Sequence, residues 1–492
     1  MITRQSYTPP TDQRQRWDSD LRVYNALDVT VTKELWDVLD LQMDEHARRL
    51  YSYTKAMTAV ALQMMLRGVR IDFARRAALT LEYEAKLQRL GRVGEEYGKA
   101  ILGRPMNLGS PAQVSEALFD VMELPTRNRS TEREALEKLG VYKYAEPLVA
   151  AVLEYRDLDK CLNFLYAKLD DDGRLRCSFN VVGTETGRWS SSTSAFGRGT
   201  NLQNIRKDLR AIMVPDPGMT FVNADLEQAE ARCVAYLSND PRYIEACESG
   251  DLHTTTASMI WGFRAERELA ERPFFRHFSY RDTSKRGGHL LNYLGGMAAL
   301  VYRLRLPRNV ALGFEHDYFV QFPGIRDWQT STLMEVQRNA SRTGPDHGPY
   351  LDTPLGRRRY FQSNINAAKT HGEIIAHGPQ SMIADLANIG IYRCWSELES
   401  RGVQVLLQGH DAGLFQVPTS RLTELIPQIK DLMSVEFTCR GAKRRIPVGI
   451  KCGLNASEYD KKKHPDVNAL QEYGQWLKRT MTTTRTTPTT SP

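Results

Sequence analysis

With 492 residues the chain has room for two to four domains, and its 41% hydrophobic and 25% charged residues are the balance of a globular protein. The net charge of +7 permits a polyanionic partner without demanding one. No apolar run is long enough to cross a bilayer, the start Met1-Ile2-Thr3-Arg4 lacks a signal-peptide core, and the seven cysteines are scattered without a Cys-x-x-Cys pair. A membrane role, secretion and a zinc or disulfide framework are set aside on these grounds, and reduced thiols in an intracellular protein are expected.

Residues 1–20 are polar with Pro9-Pro10 and read as a flexible lead-in. From 21 to 180 the pattern is mostly helical, with apolar residues three and four apart over 56–66 and 74–97. Ser130 or Thr131 is the expected N-cap of a following helix, and 146–170 forms another. A strand over 175–182 precedes a Gly- and Ser-dense loop over 183–200. A strand over 219–224 runs into a helix over 226–238, and 251–345 is again mostly helical. A hairpin over 349–361, a long helix over 373–400 and two strands around a turn at 409–413 complete the pattern. The tail from Lys461, three lysines and then a Thr-rich end, is expected to be disordered. Helical blocks thus flank strand-rich pieces, an α+β chain with a central sheet and two mainly helical satellites.

Two hydrophobic runs end in an aspartate: Met219-Thr220-Phe221-Val222-Asn223-Ala224-Asp225, and Val403-Gln404-Val405-Leu406-Leu407-Gln408-Gly409-His410-Asp411. Buried strands that deliver two carboxylates to one place can hold a pair of divalent cations. Either aspartate alone reads as a turn or cap residue; the pair, with Glu230 after one and His410 before the other, reads as a site. Between them Arg281, Lys285, His289 and Tyr293 recur at four-residue spacing on one slowly rotating helix face. That row suits a triphosphate below a stacked base, although a solvated basic face has the same pattern. Gly287-Gly288 inside the segment costs about 1 kcal/mol per glycine relative to alanine, so a close ligand or a bend is expected there. Thr186-Gly187-Arg188 and Asn201-Leu202-Gln203-Asn204 are donor-rich loops able to meet minor-groove acceptors.

These segments, in this order, resemble the DNA polymerases of family A. Asp225-Leu226-Glu227-Gln228-Ala229-Glu230-Ala231-Arg232 looks like the first catalytic motif, Arg281-x3-Lys285-x7-Tyr293 like the fingers-helix motif, and Gln408-Gly409-His410-Asp411 like the third. Asn107-Leu108-Gly109-Ser110-Pro111 and Leu153-Glu154-Tyr155-Arg156 look like parts of the thumb. The resemblance implies a right-hand polymerase fold, with an antiparallel palm sheet between a mainly helical thumb and fingers. It implies thumb 52–175, palm 176–250 and 376–460, and fingers 251–375, with 461–492 as the tail. It implies that Asp225 and Asp411 bind two Mg2+, with Lys285 as a further catalytic group. Gln228, Glu230, His253, Arg281, Lys285, His289 and Tyr293 would meet the dNTP, Glu230 as the steric gate beneath the sugar. Asn107, Arg156, Arg188, Asn201, Gln203, Asn204, Gln380 and His410 would meet primer-template DNA. A bacterial or phage-infected cytoplasm is the implied setting.

Three positions depart from the family pattern: Ala412 where Glu is usual, His289 where Phe or Tyr is usual, and Ala376 where Asn is usual. Tyr24-Asn25-Ala26-Leu27-Asp28 resembles the last motif of the proofreading exonuclease fused to such polymerases, so residues 1–51 read as a lead-in with an exonuclease remnant, without proofreading of its own. A separate exonuclease or processivity subunit is the implied extra partner. The rival readings are a single-subunit RNA polymerase, which Glu230 opposes, and a catalytically impaired DNA-binding scaffold, which Ala412 favours slightly.

Overall fold

The computed structural model describes residues 14–126, 128–194, 197–276, 278–343, 348–461 and 466–484. The chain forms two compact units, Met1–Lys55 and Ala56–Pro492, and the division falls within its second helix.

In the first unit α1 (Arg14–Gln42) contains neither Gly nor Pro and runs unbroken. The lead-in expected over 1–20 is therefore helical from residue 14; Pro9-Pro10 lie outside the described residues. Trp36 packs on Tyr51 of α2 (Glu45–Arg67), ring centroids 5.1 Å apart.

In the second unit Met57, Val60, Ala61 and Met64 of α2 are buried at helical spacing. Strand β1 (Val69–Ile71) follows, and Asp72 caps α3 (Phe73–Leu102) by accepting from the Arg75 N–H at 3.0 Å. Helices α4 (Pro111–Ser115), α5 (Arg133–Leu139) and α6 (Glu146–Leu165) complete a helical lobe whose core includes Leu108, Leu118, Leu136, Leu148 and Val152. The N-cap of α5 is Glu132, not Ser130 or Thr131. Ser130 Oγ is used one residue earlier, accepting from the Glu132 N–H in a local turn.

Strands β2 (Arg174–Leu175) and β5 (Met213–Val214) flank β1 in a three-stranded sheet. Between them β3 (Ser178–Asn180) pairs with β4 (Ser190–Ser192), so the expected loop over 183–200 carries a strand. Trp189 and Phe179 pack edge to face beneath it at 6.1 Å, which gives that serine-rich piece a core to rest on.

The main sheet is built from β6 (Met219–Leu226), β11 (Gln404–Gly409), β12 (Ala412–Pro418), β15 (Val448–Gly453) and β16 (Gln471–Glu472). Its order is β11-β12-β6-β15-β16, and every pairing is antiparallel. The segments that carry Asp225 and Asp411 thus meet as neighbours. Helices α7 (Ala229–Ser238) and α8 (Pro241–Glu248) leave β6. The excursion that follows holds α9 (Leu252–Trp261), α10 (Arg267–Ala270), the small pair β7 (Pro273–Phe275) and β8 (Phe278–Ser279), and α11 (Tyr280–Asn292). It continues through α12 (Met297–Leu304), α13 (Arg308–Gln321) and α14 (Pro323–Thr343) to the hairpin β9 (Tyr350–Asp352) and β10 (Arg358–Tyr360). The long helix α15 (Ala368–Leu398) returns to the sheet with α16 (Leu422–Met433), and β13 (Phe437–Cys439) with β14 (Ala442–Arg444) precedes β15.

The tail departs from expectation. Residues 466–484 carry β16 on the sheet edge and α17 (Tyr473–Thr484). Ala469, Leu470 and Trp476 are buried there, and Gly453 lies so close to the backbone of Asn468–Leu470 that a Cβ would meet it at 2.8 Å. The apolar residues Val467, Ala469, Leu470 and Trp476 were hidden in the composition by their lysine- and threonine-rich flanks. The Thr-rich end from 485 lies outside the described residues.

Candidate active site

Backbone pairing sets the position of both carboxylates. In β6, Phe221, Val222 and Ala224 are buried in the sheet, and Asp225 stands between Ala412 of β12 and Gly449 of β15. The strand runs to Leu226 and the helix starts at Ala229, so Asp225 lies within the strand rather than at its end. The turn between β11 and β12 is only His410-Asp411, with Gly409 paired to Ala412. His410 sits at φ 55°, the left-handed conformation that a two-residue hairpin demands at its first position. The Asp411 carbonyl accepts from the Leu226 N–H at 3.0 Å, which pins the turn to β6.

Both carboxylates line a cavity of about 550 Å³. Burial first, and the Asp411 charge second, push Asp225 up to about 7. Asp411 is raised as well, chiefly by burial. Two carboxylates kept this close and this dry favour a cation between them. Among the described residues there is no group of three or more His, Cys, Asp or Glu able to hold a metal. A pair suffices for Mg2+, which keeps waters and takes substrate phosphates for its remaining positions. The residues present therefore fit the ion.

Gln228, Glu230, His253, Lys285 and His289 line the same cavity. Gln228, at φ 53°, turns the chain from β6 into α7 and donates to the Gly250 carbonyl. Glu230 Oε2 lies 3.4 Å from His289 Nδ1, and the His289 and Tyr293 rings meet at 5.1 Å. Tyr293 stands one residue past the end of α11, where burial and then the Glu230 charge raise its phenol well above its usual value. Lys285 is exposed to the cavity, and no acid pairs with it among the described residues. His253 is held neutral at pH 7, lowered to about 4 by burial and then by Arg281 and Lys285.

Arg281 is placed differently from expectation. Its guanidinium grips Asp251, Nη2 to Oδ1 at 3.0 Å, and it does not line the cavity. Burial opposes ionisation of Asp251, but Arg281 and Thr254 outweigh it and hold the carboxyl at about 2. Asp251 also caps α9, so one carboxylate fixes Arg281 and the start of the helix that carries His253.

The two glycines of α11 have a packing reason, and Gly288 also lines the cavity. A Cβ on Gly287 would meet the Phe314 ring at 2.4 Å, and one on Gly288 would meet Tyr318 at 3.1 Å, so they let α13 approach. Sequence reasoning missed the anchor below. Asn292 donates to Tyr243 at 3.1 Å and accepts from Tyr318 at 2.8 Å, while Gln329 donates to the Leu291 and Asn292 carbonyls. No local pattern signals a network whose members lie tens of residues apart.

The DNA candidates divide. Arg188 and His410 flank Asp411, and burial and then Arg188 lower the His410 imidazole. Gly187, at φ 77°, packs so close to Arg357 that a Cβ would meet its Cζ at 2.4 Å. Arg357 in turn makes a bidentate, buried pair with Asp385 of α15, Nη2 to Oδ1 at 2.6 Å. Arg188 therefore leaves a backbone position braced by α15. Gln203 is turned inward, toward Gln408. It is 8% exposed, and its amide donates to Gln408 Oε1 at 2.7 Å, with Gln408 donating on to Asn388. Its donors support the Asp411 turn from behind. Asn201 Oδ1 is likewise spent, accepting from Ser191 Oγ and from the Gln203 and Asn204 N–H groups. Asn204 is exposed and Gln380 half-buried on α15. Asn107 is exposed, its Oδ1 accepting from Gly109, and Arg156 donates to the Thr131 carbonyl; both belong to the helical lobe and neither lines the cavity.

Ala412, 8% exposed, is paired with Asp225, so a glutamate there would add a third acid beside the pair. Ala376 lies half-buried on α15, one turn before Gln380.

The comparisons with known proteins agree with this geometry. DNA polymerase I of Thermus thermophilus is 30% identical over 480 residues, 91% of this chain and 53% of that protein. DNA polymerase I of Thermus aquaticus is 31% identical over 469 residues, 89% of this chain and 51% of the relative. The chain thus spans about half the length of these curated relatives. The POL domain of Pol1 from M. smegmatis, solved with DNA primer-template and dNTP, shares the fold with a TM-score of 0.68 at 24% identity, covering 81% of this chain and 69% of that one. The family profile of DNA polymerase family A matches residues 77–460, and the chain belongs to that family.

Proposed function

We propose that this chain adds deoxynucleotides to a primer 3′-hydroxyl on a DNA template. The observation that carries the reading is one cavity holding the paired carboxylates Asp225 and Asp411 opposite the unpaired cation Lys285. Thumb 52–175, palm 176–250 and 376–460, and fingers 251–375 follow the observed succession of helical lobe, sheet and helical excursion.

Asp225 and Asp411 are the residues that would hold two Mg2+, and such ions acidify the attacking hydroxyl and offset charge on the triphosphate. Lys285 reaches the triphosphate and takes up negative charge as pyrophosphate leaves. Arg281, bound by Asp251, ties α11 to the start of α9. Neutral His253 offers a hydrogen bond without adding charge. Glu230, held by His289 and facing Tyr293, closes the space below the sugar and repels a 2′-hydroxyl. Arg188, His410 and Gln380 face the primer end.

Tyr24 and Asp28 stand exposed on α1, and the chain itself is proposed not to excise mismatched ends. A separate exonuclease or processivity subunit is a proposed further partner. The seven cysteines are free and buried, which suits a reducing cytoplasm, and no described helix is long and apolar enough to cross a membrane. Extension of a primed DNA template with dNTPs or NTPs tests the reading. Template-directed growth with dNTPs alone is expected; growth with NTPs favours an RNA polymerase, and binding without growth favours a scaffold.

A further inference from the structure

Asp225 stands in β6 between two neighbours that bring no polar side chain to it, Ala412 of β12 and Gly449 of β15. Residues directly opposite each other in an antiparallel pair point to the same face, with their Cβ atoms about 5 Å apart. A side chain at 449 would therefore rise beside the Asp225 carboxylate. That space is already taken, because a Cβ on Gly449 would meet Glu227 Oε1 at 3.0 Å and Glu227 Cγ at 3.4 Å. Glu227 lies two residues past Asp225, and its N–H donates to the Pro447 carbonyl at 2.8 Å. The chain thus stays pinned to the β15 side until Gln228 turns it into α7. Sequence and register seat a third carboxylate over a glycine, on the face of the sheet that carries Asp225.

Glu227 is exposed, and no hydrogen bond or ion pair reaches its carboxylate among the described residues. Burial and then Asp411 raise Asp225, Lys451 opposes them, and the charges of Glu458 and Glu227 raise it further. Glu458 is answered by Lys207, Nζ to Oε2 at 2.8 Å. Glu227 has no such answer, and unmatched like charges at close quarters are reconciled by a cation. Because no three acids form a ligand group among the described residues, Glu227 is placed to act through water rather than to ligate.

We propose that Glu227 is a positioning residue of this centre, its carboxylate fixing water on the ion that Asp225 would hold. The inference rests on the polymerase reading above. Mg2+ keeps several waters when protein supplies only one or two carboxylates, and groups that accept from such waters orient the ion and tighten its binding. Glu227 supplies from the β15 side the acid that Ala412 withholds on the β12 side.

The test is a Mn2+ titration, followed by electron paramagnetic resonance, of the full chain bound to a dideoxy-terminated primer-template and the next dNTP. Glu227→Gln keeps the shape and removes the charge, and Mn2+ affinity should fall about tenfold. The Mg2+ concentration for half-maximal single-turnover extension should rise by the same factor, while the rate at saturating Mg2+ stays within about threefold, a split that a folding defect would not produce. Adding Ala412→Glu to Glu227→Gln returns an acid to the other flank of Asp225 and should bring Mn2+ affinity back to within about threefold of wild type. Glu458→Gln should leave it within about twofold. Wild-type affinity in Glu227→Gln, an equal loss in Glu458→Gln, or a loss that Ala412→Glu does not reduce overturns the proposal. If Glu227→Gln fails to bind primer-template, Gly449→Val decides: it keeps the acid but takes its seat, so Mn2+ affinity should fall, and an unchanged affinity overturns the proposal. No extension by the wild-type chain at any Mg2+ concentration would refute the polymerase reading instead, and the Mn2+ titration would still judge Glu227.

Discussion

The sheet side and the helical side of the cavity are held in different ways. Asp225 and Asp411 are placed by backbone pairing: seven consecutive residues of β6, from Met219 to Asp225, pair with β12, and a two-residue turn leaves Asp411 no latitude. The basic side is placed by side chains. Asp251 holds Arg281, Asn292 and Tyr318 anchor the end of α11, and glycines 287 and 288 let α13 pack close. A register shift in the sheet would turn every side chain to the opposite face, so the carboxylates are fixed or lost together. The helical side can change by degrees, one contact at a time, as suits a surface that must admit and release a substrate.

Substitutions can break or sharpen that contrast. The largest effect is expected on the sheet side. Asp411→Asn keeps the shape and removes a charge, and single-turnover extension should fall roughly 10³-fold, about 4 kcal/mol, with DNA affinity nearly unchanged. A rate above a tenth of wild type would mean that backbone placement is not serving a charge-dependent site.

Glu230→Ala tests the point where the two sides meet. It opens space beneath the sugar and ends repulsion of a 2′-hydroxyl, so the ratio of dNTP to NTP efficiency should drop by about 10- to 100-fold. An unchanged ratio would move the gate to another residue, with His289 and Tyr293 next to be tried.

A pH series sharpens the sheet side further. With Asp225 at about 7, its carboxyl is mostly protonated at pH 6 and ionised at pH 8. An ion must displace that proton, so the Mg2+ concentration needed for half-maximal single-turnover extension should be about tenfold higher at pH 6 than at pH 8. The same dependence in Asp225→Asn would assign it elsewhere.

On the helical side the effect should be smaller and of another kind. Asp251→Ala frees Arg281 and uncaps α9, and a rise of about 3- to 10-fold in KM for dNTP is expected with kcat changed less than about twofold. A fall in kcat equal to that of Asp411→Asn would erase the distinction between the two sides.

The carboxylate pair was legible in the sequence because its signal is local: a hydrophobic run ending in an aspartate reads as a strand presenting a ligand, and the two meet in one sheet as expected. The spacing of Arg281, Lys285 and His289 was legible for the same reason. Partners were not. Nothing near Arg281 in sequence shows that Asp251, thirty residues away, binds it. Gln203 has the composition of a groove donor, yet its amide is spent on Gln408 across 205 residues of chain. Glycines 287 and 288 announced a close approach but not whose, and the approach is that of Phe314 and Tyr318. The tail misled for a compositional reason, since Leu470 and Trp476 bury against an edge that only exists once the sheet has formed.

The central claim is that Asp225 and Asp411 are the ion-holding residues of a polymerase palm. Its most direct measurement is a Mn2+ titration, followed by electron paramagnetic resonance, of the chain bound to a dideoxy-terminated primer-template and the next dNTP. The account predicts tight protein-bound Mn2+ in the wild-type chain, weakened at least tenfold in both Asp225→Asn and Asp411→Asn and unchanged in Glu436→Gln, an exposed acid that pairs with Lys443 and Arg445 and does not line the cavity. Wild-type Mn2+ affinity in either aspartate variant would contradict it.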